Sequence, residues 1–297
     1  MLTRSNRREI IPAIIFLFPG LILFFIFFLG PMIYSFRISL FDWNIVHPEN
    51  STWMGLKNYT VIIKNTIFQR AVLNTLAYTV VTVATKLVLG LLLAILLNQG
   101  LRSKGFFRVA YYLPVISSWV IVSLLFEYLF SGQSGLVNYI LRDILHIIPE
   151  NIRWLADEYL ALVPVALVDI WKGVGWAAVI FLAGLQSIPK ELYESAMVDG
   201  ANRWESFWGI TLPLLRATLV FLVVVLIIGG LNAYISFLLI TGGDPLDRTH
   251  SILTLMYEAT FSRMDFGTGA AISYLLTIFV FFISWIQLKL LRKPVEW

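Results

Sequence analysis

The sequence predicts an all-α integral membrane protein with six transmembrane helices and a polar helix-turn-helix outside the bilayer. Of its 297 residues, 59% are hydrophobic and only 13% are charged, and the mean hydropathy is +0.81. This composition lies outside the range of soluble domains. A transmembrane helix needs about 20 predominantly apolar residues. Six runs satisfy that length, at residues 10–36, 71–97, 109–130, 159–185, 214–240 and 269–291.

The first apolar run follows Arg4, Arg7 and Arg8, a charge pattern that also begins a secretory signal peptide. A signal peptide has an apolar region of about 7–15 residues and a small-residue cleavage site. The run at 10–36 is too long for this, so we expect a retained helix. Residues 1–67 then form an amino-terminal tail, the first helix and an external loop, and residues 68–297 form the transmembrane core.

The basic residues predict the orientation of the six helices. Lys and Arg are concentrated in cytoplasmic connections. Eight of them lie in the long loops of one side, and twelve lie in the short connections of the other. The twelve are Arg4, Arg7, Arg8, Arg102, Lys104, Arg108, Lys190, Arg203, Arg216, Lys289, Arg292 and Lys293. Both termini and the polar segment at 187–213 are therefore expected to face the cytoplasm.

The polar segment at 187–213 reads SIPKELYESAMVDGANRWESFWGITLP. Ser187 is a suitable helix cap, Pro189 suits a first turn, and Glu191 places an acid where the helix dipole favours one. We expect this helix to end near Asp199, because Gly200 can adopt positive φ. A second helix should follow from about 201 to 210, and Pro213 should mark a fresh helix start. An amphipathic helix on the membrane surface is the simpler alternative.

This segment resembles the "EAA" loop of the permease subunits of binding-protein-dependent ABC importers. The family pattern is Glu-Ala-Ala, three residues, Gly, nine residues, Ile, one residue and Leu-Pro. It is matched by Glu194, Ser195, Ala196, Gly200, Ile210 and Pro213, with Ser195 as the one departure. The extended form ELYESAMVDGA is most similar to the carbohydrate branch, the maltose and glycerol-phosphate type. The resemblance implies that this loop, including Glu191 and Asp199, is a coupling helix that fits a cleft on a cytoplasmic ATPase subunit.

Ionisable residues inside spans are costly in the bilayer and are functional candidates by default. Four are present: Lys86, Glu127, Asp169 and Lys172. Glu127 lies near the end of its span, where an interface position is expected. Asp169 and Lys172 share a helix face and could pair with each other, or Asp169 could neutralise Lys86. Together with Gly173 and Trp176 they could instead line a sugar path, and we favour a solute-facing Asp169.

The resemblance adds two sets of cavity-lining positions. In similar permeases the span preceding the EAA loop lines the substrate cavity, which implies roles for Asp169, Lys172, Gly173 and Trp176. The positions implied after Pro213 are Leu226, Gly229, Gly230 and Ala233. The second set lacks the Asn, Ser and aromatic residues of the family's sugar sites.

Several functions are disfavoured by what the sequence lacks. No glycine-rich phosphate loop ending in Gly-Lys-Ser/Thr occurs, so we expect no cofactor on this chain, with ATP and Mg²⁺ bound by partner ATPase subunits. No metal-ligand or catalytic motif is present, and the chain has no cysteine, so we expect no enzyme activity and no metal. The pI near 9.2 reflects loop charges beside spans, which argues against nucleic-acid binding.

We therefore expect a permease subunit of an ATP-driven importer in a bacterial or archaeal inner membrane, forming half of the path for a sugar, oligosaccharide or polyol. The implied partners are a second permease subunit, two cytoplasmic ATPases, an extracytoplasmic solute-binding protein and membrane lipid. External loops containing 55–59 and 241–243 resemble those that contact the binding protein. The alternatives are a secondary transporter, for which we find no internal repeat or ion site, and a non-transporting structural subunit.

Overall fold

The computed structural model describes residues 4–99 and 104–291 and is predominantly helical. Arg102, Arg292 and Lys293, three of the predicted cytoplasmic basic residues, lie outside the described ranges. The α-helices in chain order are α1 (Arg4–Phe24), α2 (Gly30–Ser39), α3 (Lys57–Lys64), α4 (Thr66–Asn98), α5 (Lys104–Ile116), α6 (Trp119–Leu129), α7 (Leu136–Tyr139), α8 (Leu162–Gln186), α9 (Lys190–Val198), α10 (Arg203–Ser206), α11 (Leu212–Leu214), α12 (Arg216–Leu231), α13 (Ile235–Ile240), α14 (Ile252–Tyr257) and α15 (Phe266–Leu291).

Shorter elements complete this arrangement. Single π-helical turns extend or join helices at Phe25–Leu29, Ile140–Ile144, Phe207–Thr211 and Glu258–Ser262. Single 3₁₀ turns occur at Pro48–Asn50 and Trp154–Ala156. Two strands, β1 (Phe41–Asp42) and β2 (Thr52–Trp53), pair antiparallel with Phe41 opposite Trp53. This small ladder is the one departure from the predicted all-α fold within the described ranges.

Five helical stretches among the described residues are long and apolar enough to cross a membrane. They are Ile14–Ser39, Thr66–Asn98, Leu162–Gln186, Arg216–Ile240 and Phe266–Lys289. A sixth crossing is possible if the bent pair Gly105–Ile116 and Trp119–Leu129 is one span. The helical membrane class is thus confirmed, and the count is five, or six with the bent pair.

Two predicted spans are interrupted. The run at 109–130 is two helices, α5 and α6, inclined at 92° to each other. Pro114 lies in the last turn of α5, and Ser118 is extended, with ψ of 131°. The run at 214–240 is divided between α12 and α13, with Asn232 closing the first helix. The apolar count could not reveal either interruption, because it does not record backbone hydrogen bonding.

The chain forms two compact units. Among the described residues, the first comprises 4–64 together with Met256–Leu275. There the side-chain amide of Asn58 donates to the carbonyls of Ser39 and Phe41, at 2.9 and 3.0 Å, and the Tyr59 and Ser39 hydroxyls are 2.6 Å apart. These bonds fix the turn that follows α2.

Among the described residues, the second unit comprises those of Asn65–Leu255 and 276–291. Its α4 begins at Asn65, whose side-chain oxygen accepts the backbone N–H groups of Ile67 and Phe68. Helices α4 and α8 share the most extensive contact in this unit. Their buried side chains meet α12 in one apolar core that includes Ala177, Phe181 and Leu222. This core supports the segment between α8 and α12.

Candidate coupling segment and transport path

A helix-turn-helix occupies residues 190–214, between α8 and α12. Its turn is made by Gly200, whose φ of +85° is in the left-handed region, as predicted. The Gly200 N–H donates to the Met197 carbonyl at 3.1 Å, and the Ala201 N–H donates to the Ala196 carbonyl at 2.8 Å. These are the two bonds of a Schellman cap. A Cβ at Gly200 would have no neighbour within 4 Å, so the backbone conformation alone requires glycine.

The two helix starts differ from the prediction. Ser187 belongs to the end of α8, where its hydroxyl donates to the Gly184 carbonyl at 2.8 Å, so its assignment as the cap of α9 is wrong. The second helix begins at Arg203 behind a capping box. The Asn202 side-chain oxygen accepts the Glu205 N–H at 3.0 Å, and the Glu205 carboxylate accepts the Asn202 N–H at 2.7 Å. The pattern Asn-x-x-Glu in the sequence is the signal that locates this start.

The segment has one packed side and one exposed side. On the packed side the Tyr193 and Thr211 hydroxyls are 2.9 Å apart, and Ile210 contacts the apolar core. Ala196 is half-buried. The remaining coupling candidates are exposed to solvent: Glu191, Glu194, Ser195, Asp199, Gly200 and Pro213. Pro213 lies in the first turn of α11, so it marks a helix start as predicted, and the long apolar helix α12 begins at Arg216.

Asp169 and Lys86 form a buried ion pair between α8 and α4. The Lys86 Nζ is 2.7 Å from the Asp169 Oδ2, and the residues are 4% and 9% exposed. An ideal Cβ on Gly173 would lie 2.3 Å from the Lys86 Cδ. Gly173 therefore provides the space that the lysine stem occupies, and the structure realises the Lys86 pairing that the sequence left open.

Lys172 extends towards the break between α5 and α6. Its ammonium group donates to the Pro114 and Ser117 carbonyls at 2.8 and 2.6 Å and lies 4.9 Å from the centre of the Trp119 ring. Trp176, one turn further along α8, is half-buried with its ring 6.5 Å from that of Phe221. The shared face predicted for Asp169 and Lys172 exists, but the two side chains engage different elements.

The second set of path candidates is dispersed. Leu226 is buried in the apolar core, and Gly230 packs closely on Thr79, whose side chain would be 2.8 Å from an added Cβ. The carbonyl of Ala233 accepts the Ser251 hydroxyl at 2.9 Å. Of the four candidates, only Gly229 is exposed.

Near the amino-terminal end of α4, charged and amide groups hold the loop that precedes α14. The Asn74 side-chain amide donates to the Arg248 carbonyl at 2.7 Å. The Glu158 carboxylate accepts the Arg248 guanidinium at 2.6 Å and lies 3.6 Å from Arg70, and the hydrogen bond with Glu158 raises the pKa of Arg248. Before α8, Asp157 accepts the backbone N–H groups of Leu160 and Tyr159, which lowers the pKa of its carboxyl group.

The chain is similar to proteins of one transport family along nearly its whole length. The family described as "Binding-protein-dependent transport system inner membrane component" matches residues 86–294. The probable ABC transporter permease protein YurN of Bacillus subtilis is 32% identical, over 98% of this chain and 99% of its own. The arabinooligosaccharides transport system permease protein AraP of Bacillus subtilis is 34% identical, over 93% of this chain and 87% of its own.

A solved structure agrees with these relatives. It is the crystal structure of a bacterial alginate ABC transporter in complex with an alginate pentasaccharide-bound periplasmic protein. One of its chains superposes with a TM-score of 0.80 and 26% sequence identity, covering 97% of this chain and 95% of that one. From the sequence match and the shared fold, this chain belongs to the family of inner-membrane components of binding-protein-dependent transport systems.

Proposed function

We propose that this chain forms half of the translocation path of an ATP-driven importer for a sugar, an oligosaccharide or a related polyol. A second permease subunit would complete the path, two cytoplasmic ATPase subunits would bind ATP and Mg²⁺, and an extracytoplasmic binding protein would deliver the solute. The observation that carries the proposal is the capped helix-turn-helix at 190–214, which presents Glu191, Glu194 and Asp199 to solvent inside the region matched by the family.

The carbohydrate class rests on the relatives and on the similar solved structure. AraP and the alginate transporter are named for oligosaccharide or polysaccharide transport. Within α4 and α8, the buried Lys86, Asp169 and Lys172 are all engaged by groups of this chain. Because these charges have partners within the chain, they do not by themselves indicate a charged solute.

Reconstitution tests the proposed function. The chain is co-expressed with its neighbouring permease, ATPase and binding protein, placed in proteoliposomes, and offered a panel of labelled oligosaccharides, monosaccharides and polyols. We expect ATP-dependent uptake of one of these solutes and ATPase activity that rises with the loaded binding protein. Uptake driven by an ion gradient without the ATPase would support a secondary transporter. Assembly without uptake of any solute would support a structural subunit.

The proposed orientation places both termini and residues 190–214 in the cytoplasm. The chain has no native cysteine, so two matched valines can be labelled separately with a membrane-impermeant thiol reagent. Val46 is 75% exposed and Val198 is 88% exposed. In cells lacking the ATPase, Val46→Cys should label from outside, and Val198→Cys should label only after the membrane is permeabilised. Labelling of Val198→Cys in intact cells would show that the orientation is the opposite of the one proposed.

A further inference from the structure

The break between α5 and α6 lies inside a segment that was predicted as one continuous span. The two helices are inclined at 92°, so α5 does not continue to supply N–H groups to all of its last carbonyl groups, although the Pro114 carbonyl accepts the Ser117 N–H at 3.3 Å. Within a bilayer, broken backbone of this kind is stable only where protein groups or a wet cavity satisfy it. A group outside α5 must therefore bond the carbonyl groups at the end of this helix.

Lys172 supplies that group from α8. Its Nζ lies 2.8 Å from the Pro114 oxygen, 2.6 Å from the Ser117 oxygen and 3.4 Å from the Val115 oxygen. Lysine has three N–H donors, so three carbonyl groups match its capacity. The carbonyl end of a helix also carries partial negative charge, which stabilises a cation, and the Trp119 ring adds a cation–π contact at 4.9 Å.

The surroundings leave Lys172 little capacity for another partner. The residue is 4% exposed, and Asp169, the acid three residues earlier, is held by Lys86 at 2.7 Å. One turn along α8, an ideal Cβ on Gly175 would lie 2.1 Å from the Tyr111 oxygen. Gly175 therefore lets the α5 backbone contact α8 directly, and Lys172 bonds the end of the same helix. Two neighbouring positions on α8 thus fix α5 in place.

We infer that Lys172 is a positioning residue that holds the bend between α5 and α6, and that it is not a ligand of the solute. Helix α8 runs without interruption from this contact to Gln186, about 21 Å at 1.5 Å per residue, and α9 follows within four residues. Movement at residues 190–214 would therefore reach the bend through one helix. This consequence for transport rests on the proposed function, whereas the role of Lys172 in the bend does not.

Spin labels on both sides of the bend test the inference directly. Phe106 and Tyr128 are 72% and 62% exposed, and cysteines at these positions would be the only two in the chain. With the 92° angle, their Cα atoms are expected about 23 Å apart, against about 33 Å in a straight helix. The distance between the two labels is measured by double electron–electron resonance on the labelled chain in nanodiscs.

Lys172→Met should move the distance distribution towards the longer value and broaden it, and Lys172→Arg should keep the wild-type distribution. Lys172→Gln, with two amide donors and no charge, is measured in parallel and decides the question if the methionine variant does not fold. It should lie between the arginine and methionine variants. Lys289→Met is the matched control, because Lys289 also lies over a tryptophan, at 5.2 Å from the Trp285 ring, yet is exposed. A wild-type distribution in Lys172→Met or Lys172→Gln would overturn the inference.

Transport kinetics separate positioning from solute binding. In the reconstituted importer, a positioning role predicts that Lys172→Gln lowers the maximal uptake rate with an unchanged KM, and that Lys172→Arg restores the rate. A raised KM with an unchanged distance distribution would make Lys172 a solute ligand. If the wild-type importer shows no ATP-dependent uptake, the proposed function fails, and the distance measurement still decides the role of Lys172.

Discussion

Replacing Asp169 with asparagine is expected to prevent most molecules of the protein from reaching a stable fold. Replacing Lys86 together with Asp169 is expected to restore folding. In the wild type the Lys86 ammonium group is 2.7 Å from the Asp169 carboxylate. The single change leaves this ammonium group buried without a counter-charge. Breaking one side of a buried ion pair costs about 3–5 kcal/mol, whereas replacing both partners with uncharged residues of similar volume is often neutral. The measurement is the yield of monodisperse protein and its thermal unfolding midpoint in detergent.

The matched control for this prediction is the exposed pair of Arg142 and Asp143. Their side chains are 2.8 Å apart but 43% and 36% exposed, so Asp143→Asn should leave the yield and the thermal unfolding midpoint close to those of the wild type. Failure of Lys86→Met with Asp169→Asn to fold would show that the pair does more than cancel charge. If the double variant folds and imports solute with the wild-type KM, Asp169 is a structural counter-charge. A raised KM would return Asp169 to the solute path.

Glu194→Lys is expected to abolish ATPase activity stimulated by the loaded binding protein while leaving membrane insertion intact. Glu194 is exposed on α9, where we propose that it meets a basic group of the ATPase cleft. Losing one partner of a desolvated charge pair at an interface costs about 2–5 kcal/mol. The measurements are co-purification of the ATPase and its stimulated rate. Glu150→Lys, the same charge reversal on an exposed loop residue, should leave both unchanged, and normal transport by Glu194→Lys would remove Glu194 from the coupling site.

Gly200 provides a second test of the same segment through the backbone. With φ of +85°, an alanine at this position costs about 1–2 kcal/mol and should reduce stimulated ATPase activity by distorting the turn. Gly209 lies on the following helical turn and has no atom within 4 Å of an added Cβ. Gly209→Ala is therefore the control and should retain activity. Equal activity of the two alanine variants would contradict a coupling role for the turn.

The parts of this molecule that the sequence predicts are those governed by local rules. Apolar length locates the spans, and Gly200 marks a turn because left-handed backbone favours glycine. Ser187 and Asn202 both satisfy the residue preferences of a helix cap. Only the continuation of α8 to Gln186 decides that Ser187 ends one helix instead of starting another.

The parts that the sequence does not predict depend on contacts between distant residues. Lys86 and Asp169 are 83 positions apart, so helix spacing indicated Lys172 as the near partner of Asp169. The break after α5 follows Pro114, in the last turn of that helix, and contains Ser117 and Ser118. A proline in an apolar run does not by itself predict a break in the helix, because transmembrane helices tolerate proline where neighbouring groups satisfy the freed backbone. The lysine that does so belongs to a helix nearly 60 positions later.

The Schellman cap at Gly200, the Asn202–Glu205 capping box and the Tyr193–Thr211 contact have a mechanical consequence for residues 190–214. A segment transmits a displacement to its neighbours only if it deforms less easily than they move. In the importer proposed above, an ATPase bound to residues 190–214 would lose little conformational entropy in ordering them, because both helix ends and the contact between the helices are already bonded within the chain. Under that proposal, nucleotide-driven closure would tilt α8 and α12 and would bend residues 190–214 little.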